Sequence, residues 1–389
     1  MVHYYSADYV MPVTSSPIKN GVIAMDENGT VLGIYDNDSV PKNVEIERLK
    51  GVLIPGFINA HCHLELSHLS GKIPQDLGLV KFITEVMSNR GADEKVVHDA
   101  MVVADRAMYA NGIQAVGDHV NSAISAKVKE DSKMAYHTFV EILGLQEDEA
   151  TRKIDEAREI EFHFDSSHAS ITLHAPYSCS KTLFKAFKKS VSDDNIISIH
   201  NQESEEENKL YRYKTGEFLD FYEKIGYPIE EFKAQARNSV QTYMSYLPTG
   251  NKIILVHNTY TSLKDLDFIQ RMGRDVVMCL CPKANLYIEG VLPKVSIFEQ
   301  NGCEIVLGTD SLASNDTLSI LDELKVLHKY FPELDFVRTL KWATLNGAKA
   351  LTLDESLGSL EVGKTPGLLL VKNMSHFKMT DKVEIERIV

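Results

Sequence analysis

The sequence predicts an α/β protein, a (β/α)8 TIM-like barrel with a small β unit made from the two chain ends. Three observations lead there. Eight short apolar, β-rich runs alternate with amphipathic helical stretches, the pattern of parallel strands joined by crossover helices. These runs lie near 52–58, 113–118, 135–141, 169–174, 196–200, 253–257, 276–281 and 304–309, the strand number of a closed barrel. The runs end in His61/His63, Asp118/His119, Glu141, His174, His200, His257, Cys281/Pro282 and Asp310. In such barrels the active site is built at the C-terminal ends of the strands, so these residues are where chemistry is expected.

The elements follow in chain order. Val22–Met25, then Asp26-Glu27-Asn28-Gly29, then Val31–Tyr35 read as a hairpin with an Asn-Gly turn signal. From Gly51 the barrel pattern begins, and the helices between its strands include Glu94–Ala110 and Glu205–Tyr222. A helical stretch runs from Leu334 to Leu351, after which Leu368–Val371 and Val383–Ile385 return to short β-like runs. The two ends are therefore expected to share a sheet, with a barrel over 51–354 and a composite β domain over 1–50 and 355–389. Val-Glu-Ile-Glu-Arg occurs at 44–48 and again at 383–387, but five residues of charged alternation do not make a repeat.

Composition narrows the function. With 389 residues, 44% hydrophobic and 25% charged, the chain is long enough for a barrel plus a small domain and is ordinary for a globular protein. A formal net charge of −14 argues against a phosphate-backbone partner, since nucleic-acid binding needs clustered Lys and Arg; a small-molecule substrate is expected instead. Five cysteines without framework spacing suit a reducing compartment, and no basic-then-apolar leader or membrane-length run is present, so a cytoplasmic location is expected. A homodimer is a further expectation, because barrels of this kind commonly pair through helices.

Asn59-Ala60-His61-Cys62-His63 follows an apolar run, and strand alternation puts His61 and His63 on one face with Cys62 on the other. Two imidazoles on one face make half a metal site. His200 and Asp310 complete an expected ligand set of His61, His63, His200 and Asp310, suited to Zn2+ in the first place, with Fe2+ equally compatible. Such an ion lowers the pKa of water from 15.7 towards about 7 and gives a hydroxide at neutral pH. Glu203, three residues after His200, is placed to deliver a proton to a substrate ring nitrogen, Asp310 to receive the proton of the water, and His257 to orient that water. Asp310 ends a buried apolar run, where an unpaired carboxylate would be costly. The neighbouring Glu205, Glu206 and Glu207 read as acids favoured by a helix N-terminus.

Two other patterns are set aside. His63-Leu64-Glu65 matches the first half of the cytidine-deaminase zinc signature, whose Pro-Cys-x-x-Cys half is absent. Cys279-Leu280-Cys281-Pro282 has the wrong spacing for a zinc knuckle, and Cys279 reads as a buried structural cysteine. A second metal needs a bridging ligand, and the fourth strand, ending Ile171-Thr172-Leu173-His174, carries no lysine, so one divalent ion is expected.

Pro55–His63, His174-Ala175-Pro176-Tyr177-Ser178, His200-Asn201-Gln202-Glu203-Ser204, Leu255-Val256-His257, Cys281–Asn285 and Gly308–Asn315 together resemble the mononuclear aminohydrolase branch of the amidohydrolase superfamily. The resemblance spans nearly the whole chain and implies a small β-sandwich-like domain beside the barrel, reached through Gly358–Lys364. Thr365-Pro366-Gly367 departs from the Asp-Ala-Asp usual at that point. His63–Ser67 and Thr309–Asn315 look most like deaminases of aminodeoxyfutalosine, S-adenosylhomocysteine and adenosine. That likeness implies water addition to C6 of a 6-aminopurine with loss of ammonia, His174 contacting ribose or base, and Asn285 and Ser311 as pocket contacts, each equally readable as a turn residue. Hydrolysis of another heterocycle, an amide or a guanidine stands as the alternative on the same site, whether guanine deaminase-like, chlorohydrolase-like or formimino-type. A barrel that has lost activity is disfavoured by the intact ligand set.

Overall fold

The computed structural model describes residues 1–36, 39–229 and 232–389. Eight parallel strands form its centre: β1 (Phe57–Cys62), β2 (Ile113–Val120), β3 (Ala135–Ile142), β4 (Ala169–Leu173), β5 (Ile197–Asn201), β6 (Ile253–His257), β7 (Val276–Leu280) and β8 (Glu304–Leu307). They pair in sequence order as two four-stranded sheets, β1–β4 and β5–β8.

Both seams between the sheets are closed. Cys62 bridges Asp310 in parallel, and the Thr309 N–H donates to the His61 carbonyl at 2.9 Å. On the other side the Ser198 N–H donates to Thr172 Oγ1 at 3.0 Å, that hydroxyl donates to the Ser198 carbonyl at 2.7 Å, and the His200 N–H donates to the His174 carbonyl at 3.0 Å. The eight strands therefore form a barrel, with helices such as Glu94–Ala110 and Ile320–Tyr330 packed outside. Cys62 lies in the main hydrophobic cluster with Leu64, Met101 and Met108, on the face away from His61 and His63.

The structure corrects three boundaries. The run 52–58 is not one strand, because Pro55 has no N–H to donate to a ladder and the Gly56 N–H is taken by the Pro366 carbonyl at 3.0 Å. Val52–Ile54 instead pairs with Tyr9–Val10 and with Leu369–Val371, so it belongs to a sheet of the chain ends, and the barrel starts at Phe57. The helix read over 205–222 is two, Glu205–Tyr213 and Glu217–Lys224, broken where Lys214 turns left-handed at φ 52°. The stretch 334–351 likewise divides into Phe336–Trp342 and Leu345–Ala350.

The chain ends build two sheets. One orders Val31–Tyr35, Val22–Asp26, Val2–Ser6 and Ile46–Arg48; the other orders Glu384–Arg387, Leu369–Lys372, Val52–Ile54, Tyr9–Val10 and Ile18–Lys19. Val10, Ile23, Met25, Val31, Leu53 and Leu370 fill the space between them. Ile46–Arg48 and Glu384–Arg387 lie in different sheets with different pairings, which agrees with treating the sequence similarity of these segments as coincidence. Among the described residues no helix is long and apolar enough to cross a membrane.

Candidate metal centre and active site

The C-terminal mouth of the barrel gathers the histidines. The His61 ring stands 4.8 Å from that of His63, 5.0 Å from His200 and 5.7 Å from His257. His63 Nε2 lies 3.2 Å from His200 Nε2, and Asp310 Oδ1 lies 3.6 Å from Nε2 of both His61 and His63. His61, His63, His200 and Asp310 thus converge from β1, β5 and the end of β8.

Local backbone makes this convergence possible. Asp310 and His257 hold φ of 57° and 73°, a left-handed conformation uncommon outside glycine, as the chain leaves β8 and β6. Gly308 admits β1 against β7, since a Cβ there would lie 2.7 Å from His61 Cβ and 3.0 Å from Cys279 Sγ. Cys279 and Cys281 are buried there, and Cys279 packs in a hydrophobic cluster as a structural thiol.

Electrostatics prepare the donors. Burial, and the charge His119 would add, push the His61 pKa well below that of a free imidazole; burial and the neighbouring His174 do the same to His200. Both are therefore neutral imidazoles with lone pairs to offer. Among the described residues His61 Nδ1 and Nε2, fully buried, make no hydrogen bond, and neither does His257 Nε2. Buried polar atoms ordinarily find partners, so this donor set fits a divalent cation. Burial alone would raise the Asp310 carboxyl, but the facing His61, His63 and His257 hold it below the usual carboxylate range, and Ser314 Oγ donates to its Oδ2 at 2.5 Å. Imidazole and carboxylate donors of this kind suit divalent metal ions.

Glu203 is the opposite case. It follows β5, is buried, and its Oε1 lies 3.5 Å from His257 Nε2 while Tyr177 donates to its Oε2 at 3.3 Å. Burial, then the charges of Asp310 and Glu289, raise its pKa well above the usual range, which favours the neutral acid. Glu203, His257, Asp310, His174 and Ser311 all line one cavity of about 360 Å³. His174 offers its ring to that cavity with Nδ1 against Ser178 Oγ at 2.7 Å. Ser311 is a wall residue whose hydroxyl also accepts from the Ala313 N–H at 3.2 Å. Asn285 is not brought to the wall: it is buried behind His257, its Oδ1 3.3 Å from His257 Nδ1 and its amide on Thr259. It orients a catalytic-site ring rather than touching the cavity.

Sequence reasoning placed Glu141 at a strand end but gave it no role. At the end of β3 its Oε1 binds His119 Nδ1 at 2.9 Å and lies 3.8 Å from His200 Nδ1, while its Oε2 lies 3.9 Å from His63 Nδ1. His119 Nε2 continues to Ser198 Oγ at 2.8 Å, and the His174 carbonyl takes His200 Nδ1 at 2.8 Å. Carboxylates and carbonyls on the far nitrogens fix ring orientation and tautomer. The signal was present in the sequence as a strand-end acid.

An adenosine deaminase of Helicobacter pylori (strain ATCC 700392 / 26695) is 29% identical over 325 residues, 82% of this chain and 78% of its own. A 5-methylthioadenosine/S-adenosylhomocysteine deaminase of Pyrococcus abyssi is 29% identical over 348 residues, 84% of this chain and 76% of its own. Among solved structures, Helicobacter pylori aminofutalosine deaminase in complex with methylthio-coformycin superposes with a TM-score of 0.81 at 22% identity, covering 100% of both chains. An adenosine deaminase from Xanthomonas campestris with bound zinc does so with a TM-score of 0.73 at 22% identity, over 95% of this chain and 84% of that one. At these identities the structures establish the fold. The amidohydrolase family matches residues 52–389, so this chain belongs to that family.

Proposed function

We propose that the protein hydrolytically deaminates a 6-aminopurine nucleoside-like substrate of the adenosine, S-adenosylhomocysteine or aminodeoxyfutalosine type. The observation that carries this reading is Glu203, a buried carboxyl on the same cavity wall as the His and Asp cluster, 3.5 Å from His257 Nε2. An acid there is useful when the reacting carbon belongs to a ring whose nitrogen must be protonated as water adds. The relatives that cover most of the chain carry adenosine, methylthioadenosine and S-adenosylhomocysteine in their names, which supports the same class.

His61, His63, His200 and Asp310 would hold one divalent ion, zinc in the first place, with iron(II) compatible with the same donors. Such an ion, when bound, makes hydroxide available from water at neutral pH. The chain supplies the rest. Glu203 gives its proton to the ring nitrogen beside the amino-bearing carbon. His257, held by Asn285, orients the incoming water, and Asp310 takes the proton that the water gives up. That proton passes to the amine, the C–N bond breaks and ammonia leaves, while the oxygen stays on the ring as a carbonyl and its remaining proton returns to the Glu203 carboxylate. His174 and Ser311 are positioned to contact the nucleoside.

Ammonia release by metal-replete protein from adenosine, S-adenosylhomocysteine and aminodeoxyfutalosine, with guanine as an outlier, tests the proposal. Rapid turnover of a 6-aminopurine nucleoside is expected. Silence across the nucleosides, with metal bound, overturns it.

A further inference from the structure

Glu203 shares its cavity with His200, which an extended chain would not allow. Side chains three residues apart on a strand point to opposite faces. The direction changes at Gln202, which holds φ at 46°, a left-handed conformation uncommon for a residue with a side chain. Two more such residues stand at the end of β6, His257 at 73° and Asn258 at 57°. Backbone in sparsely populated conformations thus lies on both sides of the Glu203–His257 pair.

Gln202 ties the two sides together. It is wholly buried and is not part of the cavity wall. Its N–H donates to Glu207 Oε1 at 3.1 Å, and its carbonyl accepts from the Tyr260 N–H at 2.9 Å. The side chain repeats the connection: Oε1 accepts from Thr261 Oγ1 at 2.8 Å, and Nε2 donates to Asn208 Oδ1 at 3.3 Å and to Asp265 Oδ2 at 3.2 Å. Glu207 and Asn208 belong to the helix that follows Glu203, whereas Tyr260, Thr261 and Asp265 belong to the segment that follows His257. A second bridge runs beside the first, since Asn201 Nδ2 donates to Asn258 Oδ1 at 3.0 Å and the Asn258 N–H donates to the Asn201 carbonyl at 3.0 Å. One buried amide therefore fixes the loop that carries the acid to the loop that carries the imidazole. Its removal leaves Thr261 and Asp265 each short of one partner.

Resting on the deaminase reading, we propose that Gln202 is a positioning residue for proton delivery, holding Glu203 and His257 at the separation the reaction uses without touching substrate. No hydrogen bond between Glu203 Oε1 and His257 Nε2 maintains their 3.5 Å, so the two loops set it. A displacement of about 1 Å at a reacting centre can cost on the order of 10²-fold in rate, so the tie governs turnover more than binding.

The test measures kcat, KM and bound metal for ammonia release from 6-aminopurine nucleosides by metal-replete Gln202→Leu, Thr261→Val and Thr261→Ser. Gln202→Leu is expected to keep its metal and to lose about 10–100-fold in kcat, with KM within about threefold of the parent. Thr261→Val removes one hydrogen bond from the opposite side and should lose about 3–10-fold, whereas Thr261→Ser keeps the hydroxyl and should stay within about twofold of the parent. Placed on Glu203→Gln, Gln202→Leu should cost no more than about twofold further, because losses that fail to add mark residues that act as one unit. Parent-like kcat in Gln202→Leu, a loss that tracks missing metal, or losses that multiply in the double variant overturn the inference and leave deamination standing. Where Gln202→Leu does not fold, equal kcat in Thr261→Val and Thr261→Ser overturns it in the same way. No ammonia from the parent with any nucleoside overturns the deaminase reading and this inference with it.

Discussion

Glu203 Oε1 and His257 Nε2 face each other at 3.5 Å across the cavity wall, and His257 Nε2 makes no hydrogen bond among the described residues. An acid and a neutral imidazole converge on one volume without satisfying each other. A reactant atom that approaches both from the cavity would satisfy both.

Glu203→Gln is expected to retain metal and to lose roughly 10²–10⁴-fold in kcat, the usual contribution of a positioned proton donor. Glutamine keeps the shape but has no acidic proton. The pH profile carries a sign. Because burial raises the Glu203 pKa, its acid form persists to higher pH than that of a free carboxyl and activity falls as pH rises through that raised value. Metal analysis together with kcat/KM against pH checks both statements, and wild-type activity in the variant removes Glu203 from the mechanism.

His61→Ala and Asp310→Asn should each abolish turnover and lower metal content. His61 is fully buried and its ring nitrogens make no hydrogen bond among the described residues, so a cation is the partner that accounts for its position. Removal of the metal with a chelator should also lower the Tm, since a ligand bound only by the folded state stabilises it by mass action. Scanning calorimetry with and without added zinc, alongside metal analysis of the variants, measures this. Full metal content in both variants would sink the ligand assignment.

Glu141→Gln should weaken metal binding by roughly 10–100-fold without preventing folding. Its carboxylate faces His63 and His200 at 3.9 and 3.8 Å and fixes His119, so its loss loosens two expected ligands at once. Activity at saturating zinc should recover substantially. A variant that titrates with zinc like the parent would confine Glu141 to packing.

The convergence of His61, His63, His200 and Asp310 was legible because strands announce themselves by apolar runs and then end, and alternation alone puts His61 and His63 on one side. The role of Glu141 was not legible. It needs β3 laid between β2 and β4, so that one acid reaches histidines from three other strands. Asn285 was readable as a pocket contact, from the resemblance, or as a turn residue; the turn into the helix Pro282–Glu289 places it behind His257. The break at Pro55-Gly56 carried a local signal, yet the allegiance of Val52–Ile54 depended on strands from both termini. Single-strand patterns survive translation into structure; partners distant in sequence do not show in them.

Glu207 gives a stability prediction with a defined window. It is fully buried, it accepts from the Gln202 and Glu203 N–H groups at 3.1 and 3.3 Å, and burial raises its pKa to about 8. Between about pH 4.5 and 8 the unfolded chain gives up this proton while the folded chain keeps it, so the contribution to stability declines as pH rises. Glu207→Gln has no proton to lose. The Tm gap between parent and variant should therefore shift in the variant's favour from pH 5 to pH 8, and a gap constant across that range would contradict the assignment.

The ion pair of Lys129 with Asp118 holds the end of β1, which carries His61, from behind. Lys129 Nζ lies 2.7 Å from Asp118 Oδ2 and donates to Thr138 Oγ1 at 3.0 Å, with both charged side chains almost wholly buried. Asp118 Oδ1 in turn accepts from the Leu64 N–H at 2.7 Å, one residue beyond His63. Lys129→Met leaves a buried carboxylate without its cation, which costs about 3–5 kcal/mol, whereas removing both charges is far less damaging. The double variant Lys129→Met/Asp118→Asn should thus be more stable than Lys129→Met alone. Its amide no longer offers a charged acceptor to Leu64, so its zinc affinity should stay below the parent's even where its Tm recovers. Thermal unfolding and zinc titration of the single and double variants separate the two effects: stability and affinity recovering together would show that the pair supports the fold alone, with no separate hold on His63.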